Sequence, residues 1–383
     1  PFNFDTSGAT VFAPGVNLQH FSAKYKGSFA AKEDSEVTIS VRGDDGYRVY
    51  INEEKVIDTW GEELHNPQDR EYVFNTLSGN DYLIEIDYMQ AGGEGTLLLD
   101  IGHNKEINHD NIVNKVQDAE VIVFVGGISP QVEGEEMNVS EAGFKGGDRT
   151  SIELPQVQRD LIHALKQTGK PVVLVLLSGS SLGIYPEANE VDAILQAWYP
   201  GQAGGEAVAD VLFGDYNPAG RLPLTYYKND SQLPDFEDYS MKGRTYRYFE
   251  GEALYPFGYG LSYTSFEMDN AKLDKAEISV GDSVTFNLQI KNTGAYDGDE
   301  VVQVYIRNLR DKDGPLKSLR AFKRTHLRKG EQKTISMDLP ASSFEFFDPS
   351  SKEMHILPGK YEVLYGASSK DEDLKKLELV IKR

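Results

Sequence analysis

The sequence predicts a multidomain protein of α/β plus all-β class, in which two β-sandwiches flank a layered β/α domain with a mostly parallel sheet. Apolar and polar residues alternate with period two near both ends of the 383-residue chain, which is typical of half-buried antiparallel strands. The middle instead carries short runs that are apolar throughout, separated by helical patterns. We therefore expect domains at residues 1–110, 111–265 and 266–383.

Residues 1–110 are predicted to form the first sandwich. Apolar residues alternate with polar ones from Val37 to Val41 and again from Tyr82 to Tyr88. The stretch "RGDDGYRVY" (42–50) supplies the Gly and Asp that tight turns between antiparallel strands require. Short alternating strands joined by such turns are typical of an antiparallel sandwich.

The middle domain is predicted from two apolar strands, "EVIVFVGG" (120–127) and "KPVVLVLLSG" (170–179). Between them, "LPQVQRDLIHALKQTGKP" (154–171) predicts a helix with Pro155 in its first turn. A second helix, "GGEAVADVLFG" (204–214), stops at Gly214. The predicted apolar faces are Val157, Leu161 and Leu165 in the first helix, and Ala207, Val208, Val211 and Leu212 in the second.

The last domain, residues 266–383, returns to alternation. In "SVTFNLQIKNTG" (283–294) and "EVVQVYIRN" (300–308) every second residue is apolar. A second small sandwich is the simplest architecture that buries one face of such strands.

Composition excludes several classes of function. The formal net charge is −22 and no block of Lys or Arg is present, which argues against nucleic acid and anionic membrane surfaces as partners. No apolar stretch reaches the roughly 18 residues that would span a bilayer. The chain has no Cys and begins at Pro1. We expect a bacterial protein that works in the periplasm or outside the cell, from which an upstream segment has been removed.

An acidic, glycine-rich loop follows the first apolar strand. Residues 126–149 contain Glu133, Glu135 and Glu136 within four positions. Chemistry in layered β/α domains lies beyond the carboxyl ends of the strands, which is where this loop is predicted to be. On an acidic protein such a loop can also be simply a solvated segment, so the pattern alone leaves both interpretations open.

Other catalytic and cofactor patterns are missing. "VFVGGIS" (123–129) lacks a dinucleotide fingerprint, and no phosphate-binding P-loop is present. "LLSGSSLG" (176–183) has serines after a strand but does not match a nucleophile elbow. The histidines lack metal-ligand spacing. We expect no cofactor.

Three stretches together resemble the C-terminal half of glycoside hydrolase family 3: residues 132–158, 198–226 and 243–266. This resemblance implies a retaining glycosidase with an aspartate nucleophile in a (β/α)8-type barrel, an acid/base carboxylate on the β/α sandwich, and a fibronectin type III-like last domain. The loop "GGISPQVEGEEM" (126–137) is closer to the β-xylosidase branch than to typical β-glucosidases.

The first sandwich resembles the protective-antigen type of β-sandwich that some members insert into the β/α domain. Its most telling stretch is "VRGDDGYRVYINEEKVIDTW" (41–60). The barrel has no counterpart in this sequence. The resemblance therefore implies that the chain is the second half of an enzyme, whose partners are an oligosaccharide substrate and a missing N-terminal barrel domain.

Carried over residue by residue, the family pattern makes Glu135 the acid/base carboxylate, with Glu136 and Glu133 as alternatives. About ten residues separate Glu135 from "GGDR" (146–149), whereas many members have the two adjacent. All three glutamates therefore remain candidates for the acid/base residue. Asp148 and Arg149 match the family's "DR". We interpret Arg149 as a clamp on loop carboxylates, with a surface ion pair as the alternative.

Two further groups of residues have a structural and a functional interpretation. Asp44 and Asp45 could bind calcium, but "DDG" is also an ordinary turn, which we favour. Tyr246, Tyr248 and their neighbours Tyr255 and Tyr259 could stack on a sugar, but we expect them to pack a junction between domains.

Two functions remain. The first is the acid/base half of an exo-acting β-xylosidase or β-glucosidase that releases terminal sugars from plant-wall oligosaccharides. The alternative is a non-catalytic assembly for carbohydrate binding or adhesion. An acidic cluster beside "GGDR" favours the enzyme, because a binding protein has no need of a general acid.

Overall fold

A computed structural model of the chain describes residues 2–5, 11–61, 67–93, 95–102, 108–129, 132–134, 139, 141–348 and 350–383. These form two compact units, Pro1–Asn108 and His109–Arg383. None of the helices in this described part is long and apolar enough to cross a membrane. The domain boundaries expected at residues 110 and 265 stay predictions.

The first unit is a β-sandwich of two four-stranded antiparallel sheets. Its strands are β1 (Phe2–Asp5), β2 (Phe21–Ala30), β3 (Ser35–Gly43), β4 (Gly46–Ile51), β5 (Glu54–Asp58), β6 (Gln68–Thr76), β7 (Asp81–Gln90) and β8 (Thr96–Gly102). One sheet has the order β1-β8-β3-β6 and the other β2-β7-β4-β5. Apolar side chains of both sheets share one core. The predicted alternation is confirmed on β7, where every second residue from Tyr82 to Tyr88 is buried. On β3, Val37, Ile39 and Val41 are buried as predicted, but so is Thr38, which was expected to face outward.

The second unit begins with the β/α part. Its elements are α1 (His109–Lys115), β9 (Ile122–Gly127), β10 (Phe144–Lys145), β11 (Asp148–Arg149), α2 (Gln156–Lys166), β12 (Val172–Leu177), α3 (Tyr185–Glu190), β13 (Ala193–Gln196), α4 (Gly204–Phe213) and α5 (Thr245–Tyr248). Strands β9, β12 and β13 form a parallel sheet in the order β13-β12-β9. The two apolar runs that predicted a parallel sheet are β9 and β12. Strands β10 and β11 form a small hairpin after β9.

The apolar faces predicted for the two helices need correction. In α2, Ile162 and Leu165 are buried, whereas Val157 is 45% exposed. Pro155 is the N-cap residue and so lies just before the first turn. In α4, Ala207 is exposed and Val208, Val211 and Leu212 are only half-buried. Helical periodicity identifies the apolar side of a helix, but the neighbours that cover it are set by tertiary packing.

The chain ends in a second β-sandwich. Its strands are β14 (Phe266–Leu273), β15 (Glu277–Ser279), β16 (Val284–Asn292), β17 (Gly298–Asn308), β18 (Ser318–Leu327), β19 (Gln332–Leu339), β20 (Phe346–Asp348), β21 (Glu353–His355), β22 (Gly359–Gly366) and β23 (Lys375–Lys382). The sheets have the orders β14-β16-β19 and β15-β23-β22-β17-β18, with β20 and β21 as a separate hairpin. The predicted inward residues of β16, from Val284 to Ile290, are buried as expected.

Tyr246 packs where the β/α part meets the last sandwich. Its ring stacks on Phe257 at 4.4 Å and meets Tyr305 of β17 edge-on at 5.7 Å. Its hydroxyl accepts a hydrogen bond from the backbone N–H of Leu319 on β18. For Tyr246 the predicted packing role is confirmed. Tyr255 stacks on Tyr259 at 5.3 Å and lies within the β/α part.

Candidate active site

Three loops meet beyond the carboxyl ends of the parallel strands. They follow β9, β12 and β13, and they bring together Glu133, Ser180 and Tyr199. The end of β9 is fixed by Gln158 of α2, whose side-chain amide bonds both the N–H and the carbonyl of Gly127 at 2.8 Å. Parallel strands bring their following loops to one edge of the sheet, which explains how residues so far apart in sequence converge here.

Both carboxylate oxygens of Glu133 accept hydrogen bonds. Ser180 Oγ donates to Oε1 at 3.3 Å, and the hydroxyl of Tyr199 donates to Oε2 at 2.8 Å. Burial, together with the bond to Glu133, raises the pKa of Tyr199 above its usual value. The phenol therefore stays protonated and remains a donor at neutral pH. These bonds hold the Glu133 side chain in one orientation at the start of the acidic loop.

Arg149 is the last residue of β11. Its Nη1 donates to Ser180 Oγ at 2.8 Å and to the carbonyl of Ser181 at 3.2 Å, and its Nε donates to the carbonyl of Ser151. Burial is the main influence on its pKa, which lies below the usual value. Arg149 thus reaches Glu133 through Ser180. Its Nη2 is buried without a partner among the residues that the structure describes.

Backbone contact between the loop and the hairpin explains the second glycine of "GGDR". Gly147 has φ +87°, a left-handed conformation that favours glycine. A Cβ at this position would lie 1.5 Å from the carbonyl oxygen of Gly134. The two backbones can approach this closely only because no side chain stands between them. Gly134 immediately precedes Glu135 in the sequence, so the hairpin supports the base of the acidic loop.

The segment after the hairpin is held by Asp230. The carboxylate of Asp230 accepts bonds from Ser151 Oγ and from the backbone N–H of Ile152, both at 2.7 Å. Ser151 also accepts from Arg149 through its carbonyl. The hairpin is therefore anchored on one side by Asp230 and on the other by the loop after β12.

The predicted site residues fare differently. Glu133 and Arg149 converge on Ser180, whereas Asp148 is exposed on β11. Glu135 and Glu136 lie outside the described residues. Sequence reasoning missed Ser180 and Tyr199. Comparison with motifs alone tests the serines of "LLSGSSLG" only as nucleophiles. Their position directly after β12 is the signal that places them at the same carboxyl edge of the sheet as the acidic loop.

Asp44 and Asp45 lie in the turn between β3 and β4. Asp45 is buried at φ +65°, and its Oδ2 accepts bonds from the backbone N–H groups of Ala91 and Gly92 at 2.6 and 3.2 Å. Asp44 Oδ1 accepts from the backbone N–H of Asp45. Within the described ranges, no group of three or more His, Asp or Glu side chains is arranged to hold a metal ion. These contacts fit the turn interpretation.

Comparison with known proteins identifies the family. The glycosyl hydrolase family 3 C-terminal domain matches residues 11–263, and a fibronectin type III-like domain matches residues 300–369. Among curated relatives, a xylan 1,4-beta-xylosidase of Xylanibacter ruminicola is 47% identical over 384 residues, covering 100% of this chain and 44% of the relative. A periplasmic beta-glucosidase of Salmonella typhimurium is 38% identical over 273 residues, covering 68% of this chain and 34% of the relative.

Solved structures agree in fold. The crystal structure of beta-glucosidase from Kluyveromyces marxianus in complex with glucose superposes with a TM-score of 0.77 at 26% identity, and it covers 98% of this chain and 46% of that chain. This chain thus spans less than half the length of each of these three proteins. It belongs to glycoside hydrolase family 3, as a C-terminal domain of that family followed by a fibronectin type III-like domain.

Proposed function

We propose that this chain is the acid/base part of a retaining, exo-acting β-glycosidase of β-xylosidase type, which releases terminal sugars from plant-wall oligosaccharides. The aspartate nucleophile is assigned to an N-terminal barrel domain outside residues 1–383. The observation that carries the proposal is the anchored acidic loop at the carboxyl edge of the sheet, where Ser180 and Tyr199 fix Glu133. A xylosidase at 47% identity supports the choice of sugar.

Retaining hydrolysis needs two carboxyl groups about 5 to 5.5 Å apart. The nucleophile attacks the anomeric carbon and forms a covalent glycosyl-enzyme, while the other group protonates the leaving oxygen. In the second step the same group takes a proton from water, which attacks the anomeric carbon and releases the sugar. A loop that brings a single carboxyl group to the nucleophile from another domain would complete this pair.

Among the three loop glutamates we assign the acid/base role to Glu135. Both carboxylate oxygens of Glu133 already accept hydrogen bonds, one from Ser180 and one from Tyr199. A general acid must instead carry a proton and point it at the leaving oxygen. We therefore treat Glu133 as a positioning residue, with Glu136 as the alternative acid.

Arg149 fits a supporting role. It holds Ser180 and the carbonyls of Ser151 and Ser181, and its buried Nη2 has no partner within the described part of the chain. A guanidinium donor so close to Glu133 in the fold would suit a carboxylate of the loop. Asp148, exposed on the same hairpin, is assigned no contact with substrate. We also propose that the protein works in the periplasm or outside the cell.

The test is Glu135→Gln in the complete enzyme. On xylobiose, whose leaving group needs a proton, we expect kcat/KM to fall by about 10²- to 10⁴-fold. An aryl β-xyloside with a good leaving group should lose far less in its first step, because little protonation is required. Glu141→Gln, an exposed glutamate of the same region, is the matched control and should behave as wild type.

Equal losses on both substrates would remove Glu135 from the acid role. Normal turnover of xylobiose by Glu135→Gln would point to Glu136 or Glu133. A complete protein that binds xylo-oligosaccharides but hydrolyses neither an aryl β-xyloside nor an aryl β-glucoside would support the non-catalytic alternative instead.

A further inference from the structure

A cavity of about 400 Å³ lies where α5 meets the last sandwich. It is bounded by the loop after β17, the start of β18, the β20–β21 hairpin and the residues of α5. Its volume is within the roughly 300–1,000 Å³ of small-molecule sites in proteins. None of the residues discussed above as parts of the candidate active site lines it.

Four residues of the lining each carry a buried polar atom that has no partner in the described part of the chain. These atoms are Arg247 Nε, Asn308 Nδ2, Ser318 Oγ and Arg320 Nε. Buried polar groups in folded proteins are nearly always hydrogen-bonded, and unpaired ones cluster where a ligand or ordered water completes the set. Four of them around a single cavity indicate that this cavity receives a molecule with several hydrogen-bonding groups.

The charges of the lining favour a neutral molecule. Arg247 and Arg320 both line the cavity, and burial, together with the nearby charge of Arg247, lowers the pKa of Arg320. Asp311, Asp313 and Glu345 line the same cavity. Because positive and negative groups face the cavity together, an anion would gain from the arginines and lose to the carboxylates. A molecule with several hydroxyl groups can accept hydrogen bonds from the arginines and donate hydrogen bonds to the carboxylates.

Aromatic side chains supply the remaining surface. Phe347 on β20 is 56% exposed and stands at the rim, and Tyr248 and Phe346 also line the cavity. An aromatic face beside a polar floor suits a ring with one apolar face and several hydroxyl groups.

We propose that this cavity binds a neutral sugar ring, as a monosaccharide or the end of an oligosaccharide. The inference goes beyond the proposed function, because it concerns binding without hydrolysis. Phe347 would pack on the ring, and the side chains of Arg247, Asn308, Ser318 and Arg320 would donate to its oxygens.

The test is binding of xylobiose and of glucose to the 383-residue chain, followed by calorimetry and saturation-transfer NMR. We expect saturable binding that weakens at least fivefold in Phe347→Ala and in Arg320→Gln. Two exposed residues elsewhere provide matched controls, Phe236→Ala and Arg328→Gln, and these should bind as wild type. Phe347 is exposed, so its substitution leaves the core intact even if Arg320→Gln fails to fold.

Several results would overturn the proposal. One is the absence of saturable binding, which would mean that water alone satisfies the four donors. Another is tighter binding of glucuronate than of glucose through Arg320, which would make the cavity an anion site. Binding lost in Glu135→Gln but unchanged in Phe347→Ala would place the sugar at the acidic loop. Because hydrolysis is not measured, failure here leaves the proposed glycosidase activity standing.

Discussion

Replacing Gly147 by Ala should disable the acidic loop while the domain stays folded. The added Cβ would lie 1.5 Å from the carbonyl oxygen of Gly134, about 2 Å short of the 3.4 Å at which ordinary contact begins. The atoms that this Cβ would meet all belong to the backbone of Gly134, so no side chain can rotate away to relieve the clash. The loop that carries Glu135 must move by that amount, or the hairpin must.

The expected magnitude follows from this displacement. A misplacement of about 1 Å costs on the order of 10²-fold in rate when a reacting group must be held in a near-attack position. A shift of this size should therefore lower kcat/KM on xylobiose by at least about 100-fold. The left-handed backbone at Gly147 adds a stability cost of about 1–2 kcal/mol, because alanine is strained at positive φ.

Gly143→Ala separates the clash from the strain. Gly143 is on the same hairpin at φ +90°, and its Cβ would meet only Ser151 Cβ, at 3.7 Å. Gly143→Ala should therefore lose only the stability that the strain costs and keep its activity, whereas Gly147→Ala should lose at least that much stability in urea denaturation and also lose activity in the complete enzyme. If the two variants lose activity equally, or if Gly147→Ala retains wild-type kcat/KM, the loop is not held by this backbone contact.

Three further predictions test the surroundings of the site. Tyr199→Phe removes the 2.8 Å bond to Glu133. Because a hydrogen bond to a charged group contributes about 1.5–3 kcal/mol, kcat/KM should fall about tenfold. An unchanged kcat/KM would mean that Glu133 does not need this hydrogen bond. In Arg149→Lys the new side chain cannot reproduce the bonds to Ser151, Ser180 and Ser181. The free energy of unfolding in urea denaturation should therefore fall by about 2 kcal/mol. A loss within measurement error would contradict this role of Arg149. Burial raises the pKa of Glu187 in the native state above its usual value of 4.5. Below pH 4.5 the protonated Glu187 side chain therefore contributes its full stability to the native state. This contribution is lost as the pH rises through the higher native pKa. The stability of wild type relative to Glu187→Gln should therefore decrease from acidic to neutral pH, and a constant difference would show that Glu187 does not titrate abnormally.

Much of the fold could be predicted from local patterns. The alternation from Val284 to Ile290 names the inward side of β16, since the period of a strand fixes which side chains share a face. The apolar runs of β9 and β12 predict a parallel sheet, because both faces of such a sheet are usually covered. This holds for β12, whereas Val123 and Val125 on one face of β9 are 47% and 57% exposed. Where covering depends on distant neighbours, as for Val157 and Ala207, periodicity did not predict burial.

The candidate site could be predicted only in part. The position of the acidic loop follows from strand order, because loops at the carboxyl edge converge. The partners of Glu133 do not follow, since Ser180 and Tyr199 are 47 and 66 residues away in sequence. The close approach of the Gly134 and Gly147 backbones also could not be predicted from the sequence, although both glycines belong to the motifs that carry the family resemblance.

The central claim, that Glu135 is the acid/base of a retaining enzyme whose nucleophile lies in another domain, is tested most directly by rescue with azide. In the complete protein with Glu135→Ala, an aryl β-xyloside should form a glycosyl-enzyme that water attacks slowly, because the base is gone. Azide needs no base, so we predict that it accelerates turnover and that NMR identifies the product as β-xylosyl azide. Rescue in Glu136→Ala or Glu133→Ala but not in Glu135→Ala, or an α-configured azide, would contradict the claim.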